Sequence, residues 1–335
     1  MSNKVSVVIL NYNGGELTLK AIDSVFNQKG IEVEVIVIDN GSTDGSCQKI
    51  EKTFGEKIKL IKNSINMGFA YACNQGFELA EGEWVALLNN DACADPLWLK
   101  HSLESAKTSK KIGVIIPKII RADERDVLDG IGVGFWLDGL SRAKYRGELD
   151  SRRFNQDCAV VASGCACIYS KKMVKELAGF DSDFFIYSED TDLGLKAFLG
   201  GWKAVVAPKA IVYHGYSQTT APGAGYSIFK LYQVERNRIW ILLRWYPIYL
   251  ILLSPFLSFI RLSYQFLQAL KIRDSKEGKF WSWIWAFLRA IKDALANFPK
   301  QWKIRKHWLK GNAKKEIKNL IYDQFIPLRK IARLD

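Results

Sequence analysis

No CxxC pair occurs among the six cysteines of this 335-residue chain, Cys47, Cys73, Cys93, Cys158, Cys165 and Cys167. The spacing gives neither a dithiol redox motif nor a zinc ribbon. Cys165 and Cys167 alternate along one face of an expected strand, as small core residues do, with a Cys158/Cys165/Cys167 metal cluster as the competing reading. Cysteines without a pairing pattern suit a reducing cytoplasm. The chain also lacks a basic n-region followed by an apolar run and a cleavage site. MSNKVSVVIL leads straight into a strand pattern, so no secretory signal is expected. No GxxxxGK[ST] loop is present, which excludes a P-loop phosphate site. Gly130-Ile131-Gly132-Val133-Gly134 is a poor dinucleotide fingerprint, because no helical pattern follows it, and it reads as turn glycines. Internal repeats and low-complexity linkers are absent too.

Acidic residues are scarce at one end. From Arg236 onward there are 21 Lys and Arg against 6 Asp and Glu, a net +15, while the preceding residues carry 27 against 29, a net −2. Seven of the 11 Trp lie in that basic part: Trp240, Trp245, Trp281, Trp283, Trp285, Trp302 and Trp308. Charge is missing altogether from Trp245–Ile260, WYPIYLILLSPFLSFI, a run of 16 residues. At about 1.5 Å per residue it reaches roughly 24 Å, short of the ~30 Å of a bilayer core. Pro247 and Pro255 interrupt it, and Arg244 and Arg261 bracket it. An in-plane, monotopic segment on an anionic membrane surface is expected, with a buried core helix as the alternative. A nucleic-acid partner is not expected, since an uncharged run serves no purpose there. Lys279–Phe298, KFWSWIWAFLRAIKDALANF, is the best candidate for an in-plane helix; packing on the body or on a second copy of the chain is its alternative.

What is present before residue 236 is an alternating pattern. Val5–Leu10, Val33–Ile38, Ile58–Ile61 and Trp84–Leu88 read as short buried strands. Helical spacing follows each: Glu16–Gln28, a segment ending near Phe54 and capped by Ser42, Thr43 or Asp44, Gly68–Ala80, and a helix opened by Pro96 and ending near Thr108. Four strand–helix alternations predict an α/β fold with a parallel sheet. Short strands follow at 113–120, 131–137, 159–169, 203–206 and 210–213, with helices at 171–178 and Glu189–Leu199, the latter capped by Ser188.

Ligands of such sheets bind beyond the carboxyl ends of the strands. Those ends carry Asn11-Tyr12-Asn13-Gly14, Asp39-Asn40-Gly41-Ser42, Asn63–Gly68 and Asn89-Asn90-Asp91, four polar clusters that form a binding rim. Asp91 offers a carboxylate to a hard cation, which takes the rest of its shell from water and substrate phosphates. The second acidic feature is GFDSDFFIYSEDTDLGLKAFLGGW, Gly179–Trp202, where Glu189-Asp190 opens a helix amid Asp181, Asp183 and Asp192.

VSVVILNYNG, VIDNGSTDGS, NxGFAxxxNxG, LLNNDA and FDSDFFIYSEDTDLGLKAFLGGWKAVVAPKAIVYH, in that order, resemble the bacterial family 2 glycosyltransferases. The resemblance covers about residues 4–247, and ERNRIWILLRWYP, Glu235–Pro247, is most similar to the rhamnosyltransferase-type branch. It implies a GT-A fold over residues 1–235, while the basic, Trp-rich residues 236–335 read as a helical membrane-associating region. It implies an inverting transfer at the cytoplasmic face of the plasma membrane, in cell-surface polysaccharide synthesis. The implied donor is a nucleotide-sugar, dTDP-L-rhamnose first, with UDP-hexose, UDP-N-acetylhexosamine and UDP-galactofuranose as alternatives. The implied acceptor is a saccharide on a polyprenyl diphosphate. A non-catalytic assembly subunit of the same fold stays open, because Asn89 stands where the DxD motif has its first acid. On this resemblance Asp91 is the ligand of Mg²⁺ or Mn²⁺, joined by His214. Asn11, Tyr12, Asp39, Asn66, Gly68, Asn89 and Asn90 line the donor site. Asp190 is the catalytic base, with Glu189 beside it. An inverting displacement needs a base on one side of the sugar and charge stabilisation on the other, so Asp91 and Asp190 would divide the work.

Overall fold

The structure is a computed structural model that describes residues 4–107, 111–150, 154–155, 159–215, 227–269 and 280–331. Cys158, Thr108 and Lys279, named above, lie outside the described residues. Two compact units emerge. One holds the described residues of 1–133 and 143–222, the other those of 134–142 and 223–335.

The first unit contains β1 (Lys4–Asn11), α1 (Gly15–Phe26), β2 (Glu32–Asp39), α2 (Ser46–Phe54), β3 (Lys59–Lys62), α3 (Phe69–Leu79), β4 (Trp84–Asn89), β5 (Ala92–Ala94), α4 (Trp98–Ala106), β6 (Ile112–Arg121) and β7 (Leu128–Gly130). After the short strands β8 (Val133–Phe135) and β9 (Ser141–Ala143) come β10 (Ala166–Ser170), α5 (Lys171–Glu176), α6 (Glu189–Leu199) and β11 (Lys203–His214). The sheet order is β3-β2-β1-β4-β10-β6-β11-β5, with β7 on β6. β3, β2, β1, β4, β6 and β11 run in one direction; β10, β5 and β7 run against it. Apolar β-branched runs such as VSVVIL are buried on both faces, which is why the sheet carries helices on both sides.

Two strands differ from expectation. Residues 203–206 and 210–213 are one strand, β11, with an irregular register between Ala207 and Ile211. Within the Gly130–Gly134 run, Gly130 ends β7 and Gly134 lies in β8, and these strands pair with β6 and β9 rather than with each other. β5 had no apolar-run signal, and it matters most: it pairs with the end of β11, His214 opposite Ala92. The expected Ser188 cap is absent. Ser188 stands at the N-cap position of α6 but sits in the left-handed region (φ 70°), not the extended region a capping serine normally adopts, and makes no side-chain cap bond.

The second unit is helical: α7 (Ile228–Trp245), α8 (Ile248–Ala269), α9 (Phe280–Ala296), α10 (Phe298–Trp308), α11 (Ala313–Asp323) and α12 (Leu328–Ile331). Two features differ from the sequence reading. The division after residue 235 falls inside α7, and the hairpin residues 134–142 belong to this unit, where Phe135 bridges to Phe325. The helix that holds most of the uncharged run, α8, also continues past it through Arg261. Pro247 precedes α8, where its missing N–H is not needed, and Pro255 sits inside the helix without ending it. The Ile251 carbonyl, which Pro255 deprives of its helical donor, accepts the Ser254 hydroxyl at 2.8 Å. Only 17% of the window Ile248–Gln265 is buried, so α8 is not a core helix. Its 22 residues are long and apolar enough to cross a membrane by length and composition. One residue in that window is charged and fully enclosed: Arg261 donates to Asp138 Oδ2 at 2.7 Å and to Glu235 Oε1 at 2.8 Å.

Candidate active site

The carboxyl ends of β1, β2 and β3 carry the first three rim clusters, and that of β4 the fourth. Asn11 is fully buried. Its amide donates to Asp39 Oδ1 at 2.6 Å, and its carbonyl accepts the Thr18 hydroxyl at 2.7 Å. Asp39 Oδ2 accepts the Ser42 amide at 3.2 Å. Asn11 therefore orients Asp39 and is itself out of reach of a ligand, whereas Tyr12 next to it is 45% exposed. A Cβ on Gly14 would fall 2.4 Å from Asn90 Nδ2, so the NYNG turn lets the Asn90 side chain lie against β1.

Asn40, part of the rim but not singled out from sequence, ties β2 to the 63–68 loop. It donates to Asn66 Oδ1 at 2.9 Å and accepts from the Met67 amide at 3.0 Å. Asn66 in turn accepts the Gly68 amide at 2.9 Å. Gly68 has φ +88°, and a Cβ there would meet the Phe185 ring at 2.6 Å. The Phe185 carbonyl accepts the Ala70 amide at 3.2 Å, at the start of α3. Asn74 on α3 completes the clamp by exchanging two hydrogen bonds of 2.9 Å with the Phe180 backbone. The second Asn of NxGFAxxxNxG was the available signal for that role.

This clamp holds a strained loop. Phe185 (φ 63°, ψ −65°) is the centre of a γ-turn closed by Ile186 N to Phe184 O at 2.7 Å, and Tyr187 and Ser188 also have positive φ. Strain of this kind costs about 1–3 kcal/mol per residue and persists only where the surroundings impose it. Its result is that Glu189-Asp190 meets the start of β10. Asp190 Oδ2 accepts the Gly164 amide at 2.9 Å, and Oδ1 accepts the Thr191 amide at 2.6 Å. Glu189 is buried. Burial and the adjacent Asp190 charge push the Glu189 carboxyl well above its usual range. Burial raises Asp190 as well, against its bonds from Gly164 and Thr191. The N–H bonds from Gly164 and Thr191 favour the charged form of Asp190. The other three acids have local roles. Asp181 accepts the Asp183 amide at 3.1 Å, Asp183 is exposed, and Asp192 pairs with Lys196 at 2.7 Å.

The residue after Gly164 reaches the other half of the site. The Cys165 carbonyl accepts the Asn89 amide at 2.8 Å, at the end of β4. Asp91 follows in the turn to β5, its carbonyl accepting the Gly215 amide at 2.8 Å and its Oδ1 lying 3.3 Å from His214 Nε2. His214 Nδ1 is 2.8 Å from Asp129 Oδ2, a β7 residue that no motif marked. Burial works against a charged His214, yet it is held well above the usual imidazole range. Cys165 also faces the ring, but burial raises its thiol, so the two carboxylates are what favour the imidazolium.

Among the described residues no three His, Cys, Asp or Glu side chains form a metal cluster. The Asp91 carboxylate and His214 Nε2 do converge on one point, with Asp129 on the far ring nitrogen, the arrangement that orients a ligating imidazole. This donor set fits a hard divalent cation that draws its remaining shell from phosphates and water, provided His214 yields its Nε2 proton.

The chain belongs to glycosyl transferase family 2, whose profile matches residues 6–178. It is similar to the N-acetylglucosaminyl-diphospho-decaprenol L-rhamnosyltransferase of Mycobacterium tuberculosis, 25% identical over 250 residues, which cover 66% of this chain and 78% of that protein. The chain spans 38% of the length of the first curated relative it matches. Two solved structures share the fold. Staphylococcus aureus TarS residues 1–349 in complex with UDP-GlcNAc gives a TM-score of 0.55 at 18% identity, covering 91% of each chain. The mannosyltransferase PcManGT of Pyrobaculum calidifontis, in complex with GDP-Man and Mn²⁺, gives 0.52 at 16%, covering 98% of this chain and 82% of that one. The fold is GT-A, a mostly parallel mixed sheet flanked by helices, followed by C-terminal helices.

Proposed function

We propose that the chain is a metal-dependent, inverting glycosyltransferase that moves a sugar from a nucleotide-sugar to a lipid-linked saccharide at the cytoplasmic face of a membrane. The observation that carries this reading is the Gly164–Cys165 step, whose amide holds Asp190 and whose carbonyl holds the end of β4, two residues before Asp91. A base and a cation-binding carboxylate are thereby held by one piece of sheet backbone.

Asp190 accepts the proton of the acceptor hydroxyl as that oxygen attacks the anomeric carbon. Burial keeps Asp190 more basic than an exposed aspartate. Asp91 and His214 would hold Mg²⁺ or Mn²⁺, which when bound neutralises charge on the leaving diphosphate. Asp39, held by Asn11, faces the nucleotide with Tyr12. The 66–68 turn, Asn89 and Asn90 complete the donor side.

dTDP-L-rhamnose is the leading donor, supported by the decaprenol-linked relative and by the ERNRIWILLRWYP run. A UDP-linked sugar is the second reading, favoured by the likeness to TarS with UDP-GlcNAc. The membrane part rests on α8, whose Leu252, Phe256 and Phe259 are 74, 64 and 68% exposed. The enclosed Arg261 supports an in-plane rather than a spanning placement, since releasing it from Asp138 and Glu235 would strand buried charges. A thermal-shift screen of nucleotide-sugars with Mn²⁺ or Mg²⁺, followed by transfer to a polyprenyl diphosphate saccharide, tests the proposal. Metal-dependent stabilisation by one nucleotide-sugar and its turnover are expected. A chain that neither binds nor turns over any of them is not this enzyme.

A further inference from the structure

The helical unit contains a groove that the proposed chemistry does not use. It lies between α7 and α9 and has a volume of about 1110 Å³. The two helices pack closely along the small, fully buried Ala290 and Ala294, and Trp240 Nε1 donates to the Ala294 carbonyl at 3.3 Å. The groove opens beside that seam. Its apolar lining comes from Phe229, Trp285 and Leu288, which are 50, 69 and 48% exposed. Large apolar side chains gathered in an open concavity mark a binding surface rather than scattered surface residues.

Its polar lining is concentrated on α9. Arg289, Lys292 and Asp293 line the groove together with Tyr232. Asp293 Oδ2 accepts the Tyr232 hydroxyl at 2.6 Å and lies 3.6 Å from Arg289 Nε. Arg236 lies over the Tyr232 ring at 5.5 Å. Two cations line the groove against one carboxylate, and that carboxylate is already held by a hydroxyl. The lining is therefore apolar with an excess of positive charge, which matches a long apolar molecule bearing phosphate. A guanidinium and an ammonium together suit phosphate oxygens. The concave shape selects a single chain, not the flat face of a bilayer.

We infer that this groove binds the carrier of the acceptor: an isoprenoid chain along Phe229, Trp285 and Leu288, with its phosphate at Arg289 and Lys292. The inference rests on the reading of the chain as a transferase for lipid-linked saccharides. It adds the site at which the lipid is held.

The test uses the full chain with farnesyl diphosphate, a water-soluble isoprenoid diphosphate, titrated by calorimetry. Inorganic diphosphate and phosphatidylglycerol vesicles are parallel probes. Saturable binding of farnesyl diphosphate is expected, at least tenfold tighter than inorganic diphosphate. Trp285→Ala and the pair Arg289→Glu/Lys292→Glu should each weaken it at least tenfold. Both sites are exposed, so melting temperature should stay close to wild type, and nucleotide affinity with Mn²⁺ should change less than twofold. The inference is overturned if these variants leave farnesyl diphosphate affinity unchanged. It is overturned equally if Asp91→Ala abolishes that binding, which would put the diphosphate in the donor site. Loss of vesicle binding in the groove variants without any farnesyl diphosphate binding would make the groove a membrane contact and also overturn it. Wild-type protein that binds farnesyl diphosphate in the groove but turns over no nucleotide-sugar would sink the transferase reading and leave the groove as a lipid site.

Discussion

Gly164 donates its amide to Oδ2 of Asp190 at 2.9 Å. The bond is made by backbone, so no side chain in the sequence announces it. It fixes the carboxylate relative to the sheet and leaves the residue partly accessible.

Asp190→Asn keeps the shape and the hydrogen-bond partners of Oδ1 but cannot take a proton. Transfer should fall by roughly 10²–10⁴-fold, the usual contribution of a general base. Nucleotide affinity, measured by calorimetry, should stay within about twofold. Near-normal turnover would remove Asp190 from the mechanism.

Asp91→Ala should weaken Mn²⁺-dependent nucleotide binding by at least about tenfold, as expected for a lost ligand shell. His214→Ala should have a smaller effect in the same direction. Equal affinities with and without Mn²⁺ in the wild-type protein would rule out the metal role.

Gly68→Ala places a methyl against the Phe185 ring at a φ of +88°. Strain of about 1–3 kcal/mol is expected, and melting temperature should fall by roughly 2–4 °C per kcal/mol. Activity should fall with it, because the same contact holds the loop that presents Asp190. A calorimetric scan alongside an activity assay checks both.

Glu189 has a folded-state pKa above its unfolded value, from burial and the Asp190 charge. Its contribution to stability is full below the unfolded carboxyl range and is lost as pH rises toward the folded value. Glu189→Gln mimics the protonated form, so its melting temperature relative to wild type should rise with pH across that window. A constant difference from acid to alkaline pH would show that Glu189 is ionised in the fold.

Leu252→Glu combined with Phe256→Glu places two charges on the exposed face of α8. Co-sedimentation with anionic vesicles should drop severalfold while the fold is kept. Asp138→Ala, by contrast, should destabilise the helical unit by about 3–5 kcal/mol, because it leaves the buried Arg261 without one of its partners.

The parallel half of the sheet was legible because each of its strands is a short apolar run followed by helical spacing, and burial demands that pattern. The rim was legible because strand ends in such sheets are where polar turn residues can face a ligand. The order of the motifs pointed to Asp91, Asp190 and His214 together. Local sequence also carried the basic, Trp-rich end. What needed the tertiary structure is what depends on distant pairing. β10 enters antiparallel between β4 and β6, and only that insertion sets Gly164 beside Asp190 and Cys165 beside Asn89. β5, three residues long, aligns Asp91 with His214, and β7 supplies Asp129. Asn11 turned from ligand contact to support because its amide is enclosed with Asp39. α8 runs through Pro255 because Ser254 takes the freed carbonyl, a rescue no propensity scale contains. Periodicity records which face of an element is buried. Which groups an element meets there is set by strand order and register, and those are decided by the whole fold.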